Sequence, residues 1–546
     1  MKIKLLSLSL FAAVIGLLPV AVTAQVVAPQ VHSSVSLHKP DSLLRIANAK
    51  SEIDYSIPSF TLLKMAIVAA NTDSAVNGSD LLANALNHLK AKETPFSIVV
   101  NIYEDPATEM AFTWFTNEGV ETGNVEIVKG KNIDPEHFSK PLKSASSINT
   151  SVHDLNYCTK ANALSSLAGI ADNGKKNYVS HKAIVTGLIP NTTYSFRVGT
   201  EGHWSDTGTF KTAAGEGKGF SFIYTTDPQA NTVEMFDISQ KTTHAAFQKY
   251  PEANFWLNCG DLVQTNGKNN AEWEWEQLFQ TQQDLFLHRP FTPVLGNHDK
   301  SENRNFTNHF NTDATAFDAA LSTSPGSVYS FVYGNALFLA FSFEDYDKPG
   351  YLEALAKWMR SQVEAHKDLK WRIAFYHKTI YTGSTSHHDD KDSKTIRDRI
   401  APLMDSLKID LALQGHDHIY EVIGPVKNNK IVPGSVKNQM HVQVDPRENL
   451  TGLMKGTFDL RQGTLFFLNN SSGKKKYEPS AKVQMDNTEA DLGVSDYYSL
   501  FSGRFGQTGR PTFSNISVKG NQIAITTYEV SDTGEAKLLD EIKLVK

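Results

Sequence analysis

The sequence predicts a β-sandwich followed by an α/β layered domain. From about Pro95 the hydrophobic pattern has the period of strands, and after a Gly-rich segment at Ala213–Gly219 it becomes strand, loop, helix, strand. Five apolar runs of this second region each end in a residue able to bind a metal. At 546 residues the chain is too long for one ordinary domain, so about two or three are expected. Hydrophobic residues at 40% and charged residues at 21% suit globular domains with real cores. The net charge of −6 gives no support to a protein that tracks a nucleic-acid backbone.

Residues 1–24 read as a cleavable signal peptide. Lys2 and Lys4 precede the apolar run Leu5 to Leu18, and the small residues Val22-Thr23-Ala24 stand before Gln25. The run falls short of the roughly 20 apolar residues that span a bilayer, so a secreted or periplasmic chain with no membrane span is expected. Cys158 and Cys259, the only cysteines, are too few for a disulfide scaffold, and Cys259 reads as a small buried filler ahead of Gly260. Residues 25–94 read as a helical extension, with Ser79-Asp80 capping a stripe of Leu81, Leu82, Ala85, Leu86 and Leu89.

The sandwich is expected over 95–214. Its strands are Phe96 to Val100, Met110 to Thr116, His181 to Leu188 and Asn191 to Gly199, rich in β-branched and aromatic residues. The stretch from Asn132 to Lys176 breaks that rhythm and reads as a long insertion. Over 215–546 the apolar runs Phe220–Tyr224, Phe255–Asn258, Thr292–Leu295, Ala336–Phe341, Trp371–Tyr376 and Leu411–Gln414 read as strands. Ala271 to Phe286 and Tyr351 to His366 read as helices between them. Residues 426 to 500 are polar and irregular, and read as loops over one edge.

The strand ends carry the chemistry. The run ending at Thr226 leads to Asp227, that ending at Gly260 to Asp261, and that ending at Gly296 to Asn297-His298-Asp299. Tyr376 leads to His377, and Gly415 to His416-Asp417-His418. Carboxyl ends of strands share one edge of an α/β sheet, so these residues should meet there. Imidazoles with carboxylates suit Zn, Mn or Fe, whereas calcium prefers oxygen ligands alone. Asp261 is suited to bridge two cations, and Gly260, Gly296 and Gly415 allow the sharp turns before the ligands.

This ordered series resembles the calcineurin-like metallophosphoesterase superfamily. With the preceding sandwich it is similar to the purple acid phosphatases and their bacterial relatives, over roughly residues 95 to 546. Thr113-Trp114, Thr186-Gly187-Leu188, Gly463-Thr464-Leu465-Phe466 and the stretch from Tyr528 take part in the likeness. The resemblance implies a fibronectin-III-like domain, then a metallophosphoesterase domain built as a layered αββα sandwich. It implies two metal ions, one on Asp227, Asp261 and His418, the other on Asp261, Asn297, His377 and His416. The family's further ligand to the first metal is a histidine two residues after the first aspartate or a tyrosine three after the second. Gln229 and Gln264 stand there instead, so a tyrosinate-to-iron colour is not expected.

The expected chemistry is in-line attack on a phosphate ester by a hydroxide that the metals generate. By resemblance, His298 contacts the phosphoryl group or leaving oxygen, and Asp299 orients its imidazole. His387, preferred over His388 on spacing from His377, is the candidate proton donor. Lys378 is a candidate phosphate contact. His309, His366 and His441 lie outside any motif, Trp273, Trp275 and Phe279 read as helix packing, and Asn191 reads as turn chemistry. The expected function is hydrolysis of a small phosphate monoester by an exported enzyme. A phosphodiesterase or nucleotide-cleaving enzyme on the same site, or an exported binding protein with a degenerate site, are the alternatives.

Overall fold

A computed structural model describes residues 94–156, 175–215, 217–264, 272–387, 390–437, 455–478 and 505–546. The expected leader, the expected extension up to residue 93, Cys158, His388 and His441 lie outside the described residues. Among those described, no helix is long and apolar enough to cross a membrane.

The N-terminal domain is two facing antiparallel sheets. One holds Phe96–Asn101, Met110–Asn117, Lys175–Val185 and Ile148–Asn156; the other holds Lys143–Ser146, Asn124–Lys129, Thr193–Thr200, His203–Trp204 and Gly208–Lys211. Ile98, Val100, Phe112 and Trp114 from the first sheet meet Val125, Ile127, Phe196 and Val198 from the second in one buried core. The expected insertion at Asn132–Lys176 is corrected here, because Lys143–Ser146 and Ile148–Asn156 are strands paired into the two sheets. Lys-Ser-Ala-Ser has half its residues exposed on an edge and offers no apolar face for a pattern reading to detect.

The second domain stacks two further sheets with helices on both outer faces. In one, Phe220–Thr225, Phe255–Asn258 and Phe291–Pro293 run parallel, followed outward by the antiparallel strands Thr512–Lys519, Gln522–Val530 and Ala536–Val545. In the other, Ala336–Ala340, Trp371–Phe375, Leu411–Gln414 and Thr464–Asn469 are parallel neighbours. Phe222, Phe255 and Leu257 pack across the gap on Phe338, Ile373, Phe375 and Leu413. Helices Val233–Lys249 and Glu272–His288 cover the first sheet through Phe236, Phe247, Trp273 and Phe279. Helices Tyr351–Ala365 and Lys391–Leu407 cover the second through Leu355, Met359, Ile396 and Met404. The result is the layered αββα arrangement.

Thr464–Asn469 also corrects the expected loop region at 426–500, since it is a wholly buried interior strand between Leu411–Gln414 and Tyr420–Lys427. Its apolar run is short, and the polar segments around it hide the period.

The two domains share a sheet. Asn101 pairs in parallel register with Phe291, and Ile102 N donates to the Phe291 carbonyl at 3.3 Å. Asn311 locks the junction: its amide nitrogen donates to Asn101 Oδ1 at 2.9 Å, and its Nδ2 to the carbonyls of Phe112 and Ala183 at 3.2 and 3.0 Å. Beside it, His309 Nε2 meets Glu272 Oε1 at 2.8 Å, with the imidazole stacked on Phe115, Trp275 and Phe279. Asn311→Ala removes both buried side-chain bonds, so it is expected to cost about 1–3 kcal/mol. A urea midpoint unchanged from wild type would refute that role.

Candidate metal centre

The five strand ends deliver their residues through backbone that few side chains tolerate. Asp227, Asp261, His416 and His418 all have left-handed φ, at 52°, 51°, 78° and 42°. Each such residue costs on the order of 1–3 kcal/mol and persists only where neighbours over-determine it. They do so here. His416 N donates to both carboxylate oxygens of Asp227 at 3.1 and 2.9 Å, and Thr226 Oγ1 donates to Asp227 Oδ2 at 2.5 Å. Asp227 N donates to the Gly260 carbonyl, Gln229 N to that of Asp261, and Gly415 N to that of His377. The loops of both sheets are thereby laced together. Gly296 and Gly415 are needed for this approach: a Cβ on Gly296 would fall 2.2 Å from Asp261 Oδ1, and one on Gly415 2.5 Å from the Cys259 carbonyl.

The six residues expected to meet do meet, in two groups that share Asp261. Asp227, Asp261 and His418 form one, and Asp261, His377 and His416 the other, with the candidate ligand atoms of each group within 4.8 Å of one another. His377 Nδ1 donates to the Cys259 carbonyl at 2.8 Å, which turns Nε2 inward. That Nε2 lies 3.2 Å from Asp261 Oδ1, 3.1 Å from Asn297 Oδ1 and 3.2 Å from His416 Nδ1. His418 Nε2 stands 3.2 Å from Asp227 Oδ1. Ligands held at roughly 2.0–2.2 Å around a zinc-sized cation stand about 3 Å apart, so these spacings fit.

Electrostatics agree. Burial alone would push the His377 imidazole down, but the Asp261 and Asp227 carboxylates outweigh it and hold it up to about 10. Burial likewise pushes Asp261 up, and His377 draws it back to about 2. His416, buried beside His377, is depressed and stays neutral. A carboxylate pair that captures a proton in place of a metal is calling for positive charge. Among the described residues, His418 Nδ1 and the side-chain oxygens of Gln229 and Gln264 are buried with no hydrogen-bond partner, which suits residues beside an ion.

Asp299 does something other than expected. Its Oδ1 accepts from the amides of Leu262 and Val263 at 2.7 and 3.2 Å, and its Oδ2 from Gly296 at 2.9 Å. It ties the Asp261 loop to the Asn297 loop through three amide donors. The His298 imidazole is set instead by the Gln264 carbonyl, which accepts from Nδ1, while His298 N donates to Asp261 Oδ1 at 2.9 Å. His298 is partly exposed. His387 reaches the site, its ring stacked on His416 at 3.9 Å between centroids, and its Nδ1 donates to Asp390 Oδ2 at 2.8 Å. Lys378 is engaged elsewhere: its ammonium pairs with Asp392 at 2.8 Å and Glu344 at 3.6 Å.

The sequence reading missed a wall of the site. Residues 471–478, leaving the strand Thr464–Asn469, cross to the Asp227 loop and place the Tyr477 ring on His418 at 4.5 Å. The Ser-Ser-Gly-Lys-Lys-Lys-Tyr run has no periodicity, and only its position after a strand end could have drawn notice.

Residues 95–212 match the family described as Purple acid Phosphatase, N-terminal domain, and residues 220–420 match Calcineurin-like phosphoesterase. Probable purple acid phosphatase 20 of Arabidopsis thaliana is 24% identical over 278 residues, covering 50% of this chain and 61% of that one. Acid phosphatase type 7 of Homo sapiens is 23% identical over 283 residues, covering 48% and 60%. The chain thus spans about three fifths of the length of these curated relatives. The purple acid phosphatase PPD1 from yellow lupin (Lupinus luteus) seeds superposes with a TM-score of 0.57 at 15% identity, over 83% of this chain and 74% of that one, and shares its fold.

Two outcomes follow from the geometry. Gly296→Ala should displace Asp261 and lower bound metal per chain; full metal content by elemental analysis would count against the close approach. Below about 10, His377 carries a proton in the metal-free chain that must leave when Nε2 is taken. Metal affinity should therefore fall as pH falls, and calorimetry in buffers of different ionisation enthalpy should show protons released at neutral pH.

Proposed function

The chain belongs to the calcineurin-like phosphoesterases and carries the N-terminal domain of the purple acid phosphatases, and from this we propose that it is an exported, two-metal hydrolase of phosphate monoesters. The observation that carries the reading is the pair of ligand groups joined at Asp261. Asp227, Asp261 and His418 would hold one cation, and Asp261, Asn297, His377 and His416 the other, with Fe, Zn or Mn the metals this donor set suits. When bound, the cations would acidify a water and neutralise phosphoryl oxygens. The leader pattern in residues 1–24 supports export.

The protein's own groups supply the rest. His298, fixed at Nδ1 by the Gln264 carbonyl, presents its remaining ring nitrogen to a phosphoryl or leaving oxygen. His387, its Nδ1 proton held by Asp390, is set to pass a proton to a departing alkoxide. A monoester with a poor leaving group needs that proton most, which favours monoesters over diesters.

Hydrolysis of p-nitrophenyl phosphate and bis-p-nitrophenyl phosphate, each with Mn, Zn or Fe added, tests the proposal. Faster turnover of the monoester is expected; no turnover of either would sink the enzyme reading, and a diester preference would reverse the substrate class. Asn297→Ala and His416→Ala should lose metal and activity together. His298→Ala should keep its metal and lose about 10²–10⁴-fold in rate. His387→Ala should slow an alkyl phosphate far more than p-nitrophenyl phosphate; equal losses would remove it as the proton donor.

A further inference from the structure

We propose that Lys475 is the protein's own cation for the substrate phosphoryl group, and that it makes the site favour a doubly charged phosphate monoester over a singly charged diester. The inference rests on the phosphoesterase reading above. It starts from the segment that crosses from one sheet to the other. Ser471 Oγ donates to the Asp227 carbonyl at 2.6 Å, and Ser472 donates through both N and Oγ to the Thr226 carbonyl at 2.8 Å. Gly473 lies so close to Pro228 that a Cβ there would sit 2.1 Å from the Pro228 carbonyl. On the far side, Tyr477 N donates to the His418 carbonyl at 3.4 Å, and its ring stacks on His418 and meets the His387 ring edge-on. Lys475 sits midway between these anchors, both of which are on or beside residues of the metal cluster.

Its neighbours on the chain have other employment. Lys474 pairs with Glu234 at 2.8 Å, and Lys476 is exposed. Lys475 is half-buried and makes no ion pair among the described residues. The charges acting on its ammonium are those of Asp261, Asp227 and Glu274, set against a burial that lowers its pKa. Two of those three carboxylates are the ones the metals would neutralise. With cations on Asp227 and Asp261, the attraction those carboxylates exert on Lys475 would be offset, and an anion lodged over the metals would supply the compensating negative charge. A dianion does so better than a monoanion, and phosphate oxygens suit an ammonium as a point-charge partner.

Titration of inorganic phosphate into the metal-loaded protein by calorimetry, alongside kinetics on the two nitrophenyl esters, tests this. Lys475→Gln should weaken phosphate binding at least about tenfold and lower kcat/KM for the monoester more than for the diester. Its metal content should stay at the wild-type level. Lys475→Arg should retain most of the affinity, and Lys476→Gln should leave it unchanged. Wild-type phosphate affinity in Lys475→Gln, an equal loss in Lys476→Gln, or loss of metal from Lys475→Gln would each overturn the assignment. Phosphate binding needs no turnover, so the two readings fail separately. A Lys475-dependent phosphate site without hydrolysis sinks the enzyme alone, and hydrolysis with Lys475-independent phosphate binding sinks only the role of Lys475.

Discussion

Asp261 must reach both ligand groups at once, and the rest of the domain is arranged around that demand. Its carboxylate lies against His377 from the opposite sheet and beside Asp227 from its own. No straight strand end could place it there, so the chain turns through left-handed backbone after Gly260 and accepts the strain. The strain is held by hydrogen bonds from other loops. Asp299 clamps the Asp261 loop to the Asn297 loop, and the His416 amide clamps the second sheet to Asp227. The site is thus one knot of backbone, and each ligand depends on the loops that hold its neighbours.

The same knot explains why glycines precede the ligands. At Gly296 and Gly415 the space a Cβ would need is filled by Asp261 and by the Cys259 carbonyl, which itself accepts from His377. Cys259 therefore contributes through its backbone, while its thiol packs as a small buried group. The expectation of a filler was right about the side chain and silent about the carbonyl.

Much of this was legible because the chemistry follows short apolar runs. Asp227, Asp261, His377 and His416 each stand directly after a strand or its turn, and strand ends of an α/β sheet converge. The α/β layering was legible for the same reason, since its central strands are uninterrupted apolar runs, whereas the αββα arrangement was implied by the family resemblance. What escaped was set by tertiary contact. Lys143–Ser146 is strand because it lies on an edge, where polar residues are tolerated. Asp299 bonds amides that only the folded loops bring near, so adjacency to His298 misled. Lys475 and Tyr477 matter because a strand end hands the chain to the other sheet, which no local pattern announces.

The shared strand pairing has a mechanical consequence. Phe291, the residue that joins the sandwich to the first sheet of the second domain through Asn101, stands on the strand leading straight to Gly296 and Asn297. The N-terminal domain is therefore not a passenger on a tether. A pull on it is borne along a hydrogen-bonded strand a few residues from Asn297, so whatever grips the sandwich also bears on the geometry of the candidate centre.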